Sequence, residues 1–236
     1  MRLAVISDLH LGRGDAADRF GHDDGEFVRF LRALEADHER IVLLGDVYET
    51  LTSEHPSRQI EELARVREAH PEVVARLGLP RYTYVVGNHD AVAARVLVAV
   101  PELALQDGGA RLLFSHGHLH DWLIREARQV AETLVWLGGW LQRLGLKGFF
   151  HLFDALDPVL RGSDPRHPER CSFQRWAVAQ ALRRRVDVIV TGHTHEGRRS
   201  PVGSTLYLNS GTCSEGRFEF LSLDTRSGDF RFCTNG

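Results

Sequence analysis

Apolar positions along this chain fall into short unbroken runs that alternate with segments of helical period. Arg2–Ser7 is apolar, rich in β-formers, and ends at a carboxylate. Arg40–Leu44 repeats the pattern and stops at Gly45, and Arg81–Val86 again ends in glycine. Such runs predict buried strands. Gly25–His38 places Phe27, Phe30, Leu31 and Leu34 at helical spacing behind the capping candidates Asp23 and Asp24. Ser57–Leu77 reads as helical with a break near Pro71. The pattern then predicts a helical or loop stretch from Ala91 to Leu105, a strand over Ala110–Ser115, and another over Val186–Thr191 that ends at Gly192. From His120 to about Leu160 the period is helical and the content heavily apolar, with Trp122, Trp136, Trp140, Phe149, Phe150 and Phe153. Ser163–Arg170, with two prolines, reads as a loop, and Cys171–Arg185 as a further helix. The tail segments Thr205–Leu208, Arg217–Leu223 and Asp229–Cys233 alternate like antiparallel strands joined by glycine-containing turns.

Strands that alternate with helices and give way to a β-rich tail argue for an α/β protein with a mixed sheet or sheets. With no repeat and no long linker, one domain over residues 1–236 is expected, carrying a helical insertion at 119–170. The composition, 43% hydrophobic and 26% charged, is that of a globular domain with a sizeable core. A formal charge of -3 supplies no cationic field for a nucleic-acid partner. Cys171, Cys213 and Cys233 show neither zinc-ribbon nor disulfide-framework spacing, which suits a reducing compartment. The N-terminal apolar run is shorter than a signal-peptide core, and no stretch approaches a membrane span. A cytoplasmic location is the expectation.

Histidine changes the picture. Of 13 histidines, seven (His10, His89, His116, His118, His120, His193 and His195) sit in tight local groups. Five polar clusters fall at the carboxyl ends of five predicted strands: Asp8-Leu9-His10, Gly45-Asp46, Gly87-Asn88-His89-Asp90, Ser115-His116-Gly117-His118 and Gly192-His193-Thr194-His195. Ligand sites in open α/β sheets form outside those ends, so the clusters should converge. In extended backbone, residues i and i+2 share a face, which would let Asp8 with His10, and His193 with His195, address one ion. Glycine before Asp46, Asn88 and His193 permits tight turns. Imidazoles with carboxylates and an amide oxygen suit borderline divalent metals. Seven such groups imply two ions, and Asp46 is the best candidate for a bridging carboxylate.

The ordered set, Asp-x-His, Gly-Asp, Gly-Asn-His-Asp, His and Gly-His-x-His, resembles the calcineurin-like metallophosphoesterase family and runs from Asp8 to His195. The resemblance implies two mixed β-sheets sandwiched between helices, with two divalent metal ions, manganese foremost among Fe, Zn, Ni, Co and Mg. It also implies ligand assignments: Asp8, His10 and His195 for one ion, Asn88, His116 and His193 for the other, Asp46 shared. A hydroxide held between the ions would attack phosphorus, and His89 would protonate the leaving oxygen. Family members often carry an orienting aspartate at the position of Glu49, a carboxylate one methylene longer here, which leaves its pairing with His89 open. Asp-Leu-His-Leu, Gly45–Glu49 and the helical insertion are similar to UDP-2,3-diacylglucosamine pyrophosphohydrolases. His89 and the His-Gly-His form are closer to small broad-specificity phosphodiesterases.

The expected partner is a small phosphorylated substrate, with a hydrophobic or acyl part if the insertion is a lid. In that case Trp136 and Trp140 should line it. Core packing, a dimer contact and a peripheral membrane contact are the other readings of the aromatic insertion. Arg13 and Arg198, with Arg199, flank the metal motifs and are candidate phosphate binders. His22, His38, His55, His70, His151 and His167 read as surface residues, and His118 either orients a ligand or has no role. Gly12-x-Gly14-x-x-Ala17 matches a dinucleotide fingerprint only superficially, because it follows Asp8-x-His10 rather than a strand end. A silent interaction module is the competing class, opposed by the complete ligand set. A nuclease is opposed by the missing basic stripe.

Overall fold

The computed structural model describes residues 1–146 and 171–235. Its first strand, β1 (Arg2–Ile6), accounts for the unbroken apolar runs. Successive side chains point to opposite faces. Here Leu3 and Val5 enter one apolar cluster and Ala4 and Ile6 another, all four closed to solvent. β2 (Arg40–Leu44) divides likewise, with Val42 and Leu44 on one side and Ile41 and Leu43 on the other. A strand covered on both faces has no polar side to display.

β1 pairs in parallel with β2, and β2 with β3 (Tyr82–Val85). The hairpin of β9 (Phe218–Asp224) and β10 (Asp229–Asn235) adds antiparallel to β1, giving the order β10-β9-β1-β2-β3. The second sheet contains β4 (Leu103–Asp107), β5 (Ala110–Phe114), β6 (Val188–Thr191), β7 (Arg198–Val202) and β8 (Thr205–Asn209). Its order is β4-β5-β6-β8-β7, with β5, β6 and β8 parallel. Leu3, Val5, Leu44, Phe114, Val190 and Leu208 fill the space between the sheets. Each such side chain contributes about 1.5–3 kcal/mol when fully buried.

Helices cover the outer faces. α1 (Asp24–Asp37) begins where the Asp23 carboxylate accepts the Glu26 N–H at 3.0 Å, and it buries Phe27, Phe30, Leu31 and Leu34. With α2 (Gln59–Ala69) and α3 (Pro71–Leu77) it covers the first sheet. Proline is tolerated at the first position of α3, so the expected break becomes a helix start. The insertion supplies α4 (Trp122–Glu126) and α5 (Arg128–Arg143). α6 (Ser172–Arg184) lays Phe173, Ala177 and Ala181 on Leu113, Ile189 and Tyr207 of the second sheet. The result is the expected pair of mixed sheets between helices.

Several expectations need correction. Ala91–Leu105 is not uniformly helix or loop: Ala91–Arg95 forms a 3₁₀ turn and β4 begins at Leu103. β4 is a half-exposed edge strand turned back onto β5 by Gly108-Gly109, and Asp107 pairs with Ala110. β7 was not expected either, since an edge position tolerates its two arginines and Pro201. The tail is not wholly antiparallel. β8 pairs in parallel with β6 in the second sheet, whereas β9 and β10 complete the first. His38 and His70 are buried rather than on the surface. His38 bonds Leu34 O and Ser222 Oγ, and His70 Nδ1 lies 2.6 Å from Asp24 Oδ1, so burial leaves neither ring without a polar partner. Phe149, Phe150, Phe153, His151, His167 and the expected loop at 163–170 lie outside the described residues.

Candidate metal centre

Loops leaving the carboxyl ends of β1, β2, β5 and β6 meet at one place. Ligand-capable atoms of Asp8, His10 and His195 lie within 4.8 Å of one another, as do those of Asp46, His116 and His193, and those of His10, Glu49 and His89. His195 Nε2 is 3.2 Å from Asp8 Oδ1, and His116 Nε2 is 3.1 Å from Asp46 Oδ2 and 4.0 Å from Asp8 Oδ1. His10 Nε2 and His195 Nε2 face each other at 3.4 Å. Asn88, from the loop after β3, lines the same cleft as His89 and His193.

The paired residues do not meet along extended backbone, as the i, i+2 spacing suggested. Asp8, His10, Asp46, His193 and His195 all have positive φ, between 47° and 70°. Asp and His tolerate this left-handed region better than most residues, yet each instance costs on the order of 1 kcal/mol or more. Backbone hydrogen bonds hold the conformation: Asp8 N–H donates to Gly45 O and His10 N–H to Asp46 O, each at 3.0 Å. Thr212 Oγ1 donates to Asp8 O at 2.9 Å, and Asp8 Oδ2 accepts from Ser7 Oγ and from His193 N–H. Gly45 does adopt positive φ, 85°, and a Cβ there would lie 2.4 Å from His116 Nδ1. Gly87 serves differently: a Cβ would lie 2.1 Å from Asp46 Oδ1, so it permits close approach rather than a turn.

Outer contacts orient these groups. His116 Nδ1 donates to Leu44 O at 2.8 Å, which aims Nε2 inward. Asp90 accepts from the N–H groups of Val47 and Gly87 and from the Tyr84 hydroxyl, locking the β2 and β3 loops together. Glu49 Oε2 accepts from His89 Nδ1 at 2.7 Å, so the pairing left open by the sequence is made. Burial opposes ionisation of Asp8, but the charges of His195 and His116 outweigh it and lower its pKa to about 2. Asp46 is held well below the usual range against burial by His116 and His89. In return, Asp46 and Asp8 overcome burial of the His116 imidazole and raise it to about 9. A site with this much negative potential attracts cations.

Other candidates fall elsewhere. Arg13 is engaged by Asp15 at 2.7 Å, Glu62 at 3.4 Å and Glu54 at 3.6 Å. Arg198 bonds Gln174 and Glu196, and Arg199 donates to Phe230 O. His118 is half-buried with its Nδ1 enclosed and unbonded, and desolvation with the nearby His116 charge lowers it to about 4. His120 lies 3.2 Å from Ser172 Oγ, against α6. A cleft of about 240 Å³ runs from Asn88, His89 and His193 to α5, and among the described residues its arginines are Arg19 and Arg128. Trp136 and Trp140 do not line it; Leu134, Val135, Gly138 and Gly139 do. Sequence reading missed Asp90, Thr212, Arg19 and Arg128. Of these only Asp90 sat inside a motif.

A sequence model of the calcineurin-like phosphoesterase family matches residues 1–197, and the chain belongs to that family. It is 26% identical over 219 residues to a bovine (Bos taurus) transmembrane protein with metallophosphoesterase domain. That match covers 88% of this chain and 43% of the relative, so the chain spans less than half of that protein's length. Among solved structures it is similar to Vps29 of Chaetomium thermophilum, with 14% identity, a TM-score of 0.49, and coverage of 100% of this chain and 94% of that one. It is also similar to YfcE, a phosphoesterase from E. coli, with 18% identity, a TM-score of 0.44 and full coverage of both chains. Among the described residues no helix is long and apolar enough to cross a membrane.

Proposed function

We propose that this chain is a metal-dependent hydrolase of phosphoester or pyrophosphate bonds with a two-metal centre. Asp8, His10 and His195 would hold one divalent ion, Asn88, His116 and His193 the other, and Asp46 both. One observation carries this reading. Asp8 Oδ1 and His116 Nε2 are buried without a hydrogen bond, although polar atoms of neighbouring ligands stand 3–4 Å away, and Asn88 Oδ1 is likewise buried and unbonded. Buried polar atoms are otherwise nearly always satisfied. Donors that crowd together without bonding one another fit a cation between them. Imidazole, carboxylate and amide oxygen together suit manganese, with iron, zinc, nickel, cobalt or magnesium as alternatives.

When bound, two such ions neutralise phosphoryl charge and lower the pKa of an attacking water. The protein supplies the rest. His89, buried at the cleft wall beside Asn88, donates its proton to the leaving oxygen. Glu49, at its Nδ1, fixes the ring and stabilises the imidazolium. The substrate class is a small phosphorylated molecule, and residues 1–236 act as one domain that carries the 119–170 insertion, whose helix α5 lines the cleft. Reconstitution with manganese, followed by metal analysis and assay against phosphomonoesters, phosphodiesters and nucleotide sugars, tests the reading. Two bound ions with hydrolysis of one class support it. Stoichiometric metal with no turnover on any class would identify a silent binding module instead.

A further inference from the structure

The proposed ligands come from two different sheets. Asp8, His10, Asp46 and Asn88 follow β1, β2 and β3 of the first, whereas His116, His193 and His195 follow β5 and β6 of the second. An ion held by Asp8, His10 and His195 therefore requires the sheet ends at a fixed offset. The apolar layer between the sheets attracts without a preferred direction, but hydrogen bonds fix both distance and angle.

The chain crosses from the second sheet to the first between β8 and β9, and the start of this crossover bonds both halves of the centre. On the second-sheet side, Asn209 ends β8 and is closed to solvent. Its Nδ2 donates to Gly192 O at 2.8 Å, with Thr191 Oγ1 at 3.1 Å and Thr194 Oγ1 at 3.2 Å. One amide thus grips the turn that carries His193 and His195. Its Oδ1 accepts the Gly211 N–H at 3.0 Å, which ties that turn to the crossover. On the first-sheet side, Thr212 Oγ1 donates to Asp8 O at 2.9 Å, and the Cys213 N–H donates to Ser7 O at 3.0 Å. Ser210 Oγ lies 2.6 Å from Ser7 Oγ, which itself donates to Asp8 Oδ2.

These contacts decide which oxygen of Asp8 is available. Oδ2 accepts from Ser7 Oγ and from the His193 N–H. Oδ1, 3.2 Å from His195 Nε2, has no hydrogen bond. Ser7, Asn209, Ser210 and Thr212 are all 0% exposed, and a buried polar network whose members are bonded holds its shape. Asn209 and Thr212 are not ligands themselves, and both lie beyond the matched residues 1–197. On the two-metal reading above, we propose that Asn209 and Thr212 are positioning residues that hold Asp8 against His195, and so set the affinity for the ion these two share.

Manganese binding to the full chain, measured by calorimetry alongside melts of the metal-free protein, tests this without turnover. Thr212→Val keeps the branched shape and removes the hydroxyl. It should weaken one of the parent's two ions about 10–100-fold, the usual cost of losing an outer partner, and spare the other. The weakened ion should be the one that Asp8→Asn also weakens, and Thr212→Ser, which keeps the hydroxyl, should restore it. Asn209→Asp keeps an acceptor for Gly211 but donates nothing to the turn, so both ions should weaken, because the turn carries a ligand for each. Should Asn209→Asp fail to fold, Thr212→Val carries the test alone. Two ions bound equally well by the parent and by the Thr212 and Asn209 variants would overturn the proposal and leave the two-metal reading. A lower melting temperature with both affinities intact does the same, since the crossover would then serve the fold only. Equal weakening of both ions in Thr212→Val, unrelieved by serine, also overturns it. A parent chain that takes up no manganese defeats the two-metal reading, and the proposal with it.

Discussion

Glu49 Oε2 stands 2.7 Å from His89 Nδ1 and 3.2 Å from His10 Nδ1, so one buried carboxylate orients two rings with different tasks. Burial opposes its charge, but His89 and the hydrogen bond with His10 outweigh that and hold its pKa below the glutamate range. Glu49→Gln keeps the shape and removes the charge. It should reduce turnover of substrates with poor leaving groups by about 10–100-fold, the usual cost of losing such an orienting partner. Comparing alkyl with nitrophenyl leaving groups checks this, because an activated leaving group needs less protonation. Equal losses on both would place Glu49 in metal binding through His10 instead.

His89→Ala should leave metal content near the parent value. Turnover on poor leaving groups should drop by about 10²–10⁴, the range of general acid catalysis. Loss of bound metal in this variant would contradict the assignment of His89 as proton donor.

The shared ligand makes a sharper demand. Asp46→Asn removes the only carboxylate assigned to both ions, and Asp46 Oδ1 also accepts the His89 N–H at 2.9 Å. Both ions should weaken together, and activity should fall with them. Elemental analysis of dialysed protein decides it, and two tightly retained ions would sink the bridging role.

Metal uptake should be coupled to protons. His116 must present an unprotonated Nε2 to a metal, but its carboxylate neighbours raise its pKa to about 9. Binding at pH 7 should therefore release about one proton from this group, and apparent affinity should fall about tenfold per pH unit on acidification. Calorimetry in buffers of different ionisation heat reads the release directly. A heat independent of buffer would refute it.

A second pH effect lies away from the centre. Burial would lower the His70 pKa, but the carboxylates of Asp18, 3.8 Å from Nε2, and Asp24, bonded to Nδ1, raise it above 6.5. A raised folded-state value means stabilisation that is full below about 6.5 and lost as pH climbs through the folded value. Asp18 is depressed, so its share is lost instead on the acid side. Asp18 also accepts from Gly12, Gly14 and Phe20 N–H groups, shaping the loop that carries Ala17 and Arg19 into the cleft. Thermal melts of the parent should weaken relative to His70→Gln below neutrality least and above it most. Parallel curves for the two proteins across that range would dismiss the effect.

The central strands were legible because both faces of β1 and β2 meet apolar clusters, which writes four apolar residues in a row. The centre was legible because residues able to bind metal stand just past those strands. What could not be read is where burial is partial or the cause is non-local. β4 and β7 are edge strands with mixed composition. The face of α5 that meets the cleft depends on where Thr52 and Asp15 hold it, so the exposed Trp140 looked like a lining residue and Gly138 did not. The left-handed residues left no mark of their own. Asp and His were there for chemistry, and only the hydrogen bonds to Gly45 and Asp46 reveal the backbone they adopt.

β1 lies between β2 and β9, with Arg2 in register with Asp224. The segment that presents Asp8 and His10 is therefore flanked by a strand that leaves the ribosome only after every proposed ligand. Closing so long a loop is slow, and chains emerge at about 5–20 residues per second. For many seconds of synthesis, Asp8 and His10 exist without the hairpin that completes their sheet or the Thr212 hydroxyl that braces Asp8. The proposed metal centre should therefore form only once β9 has paired, and a chain truncated between His195 and β9 should contain every proposed ligand and retain no metal.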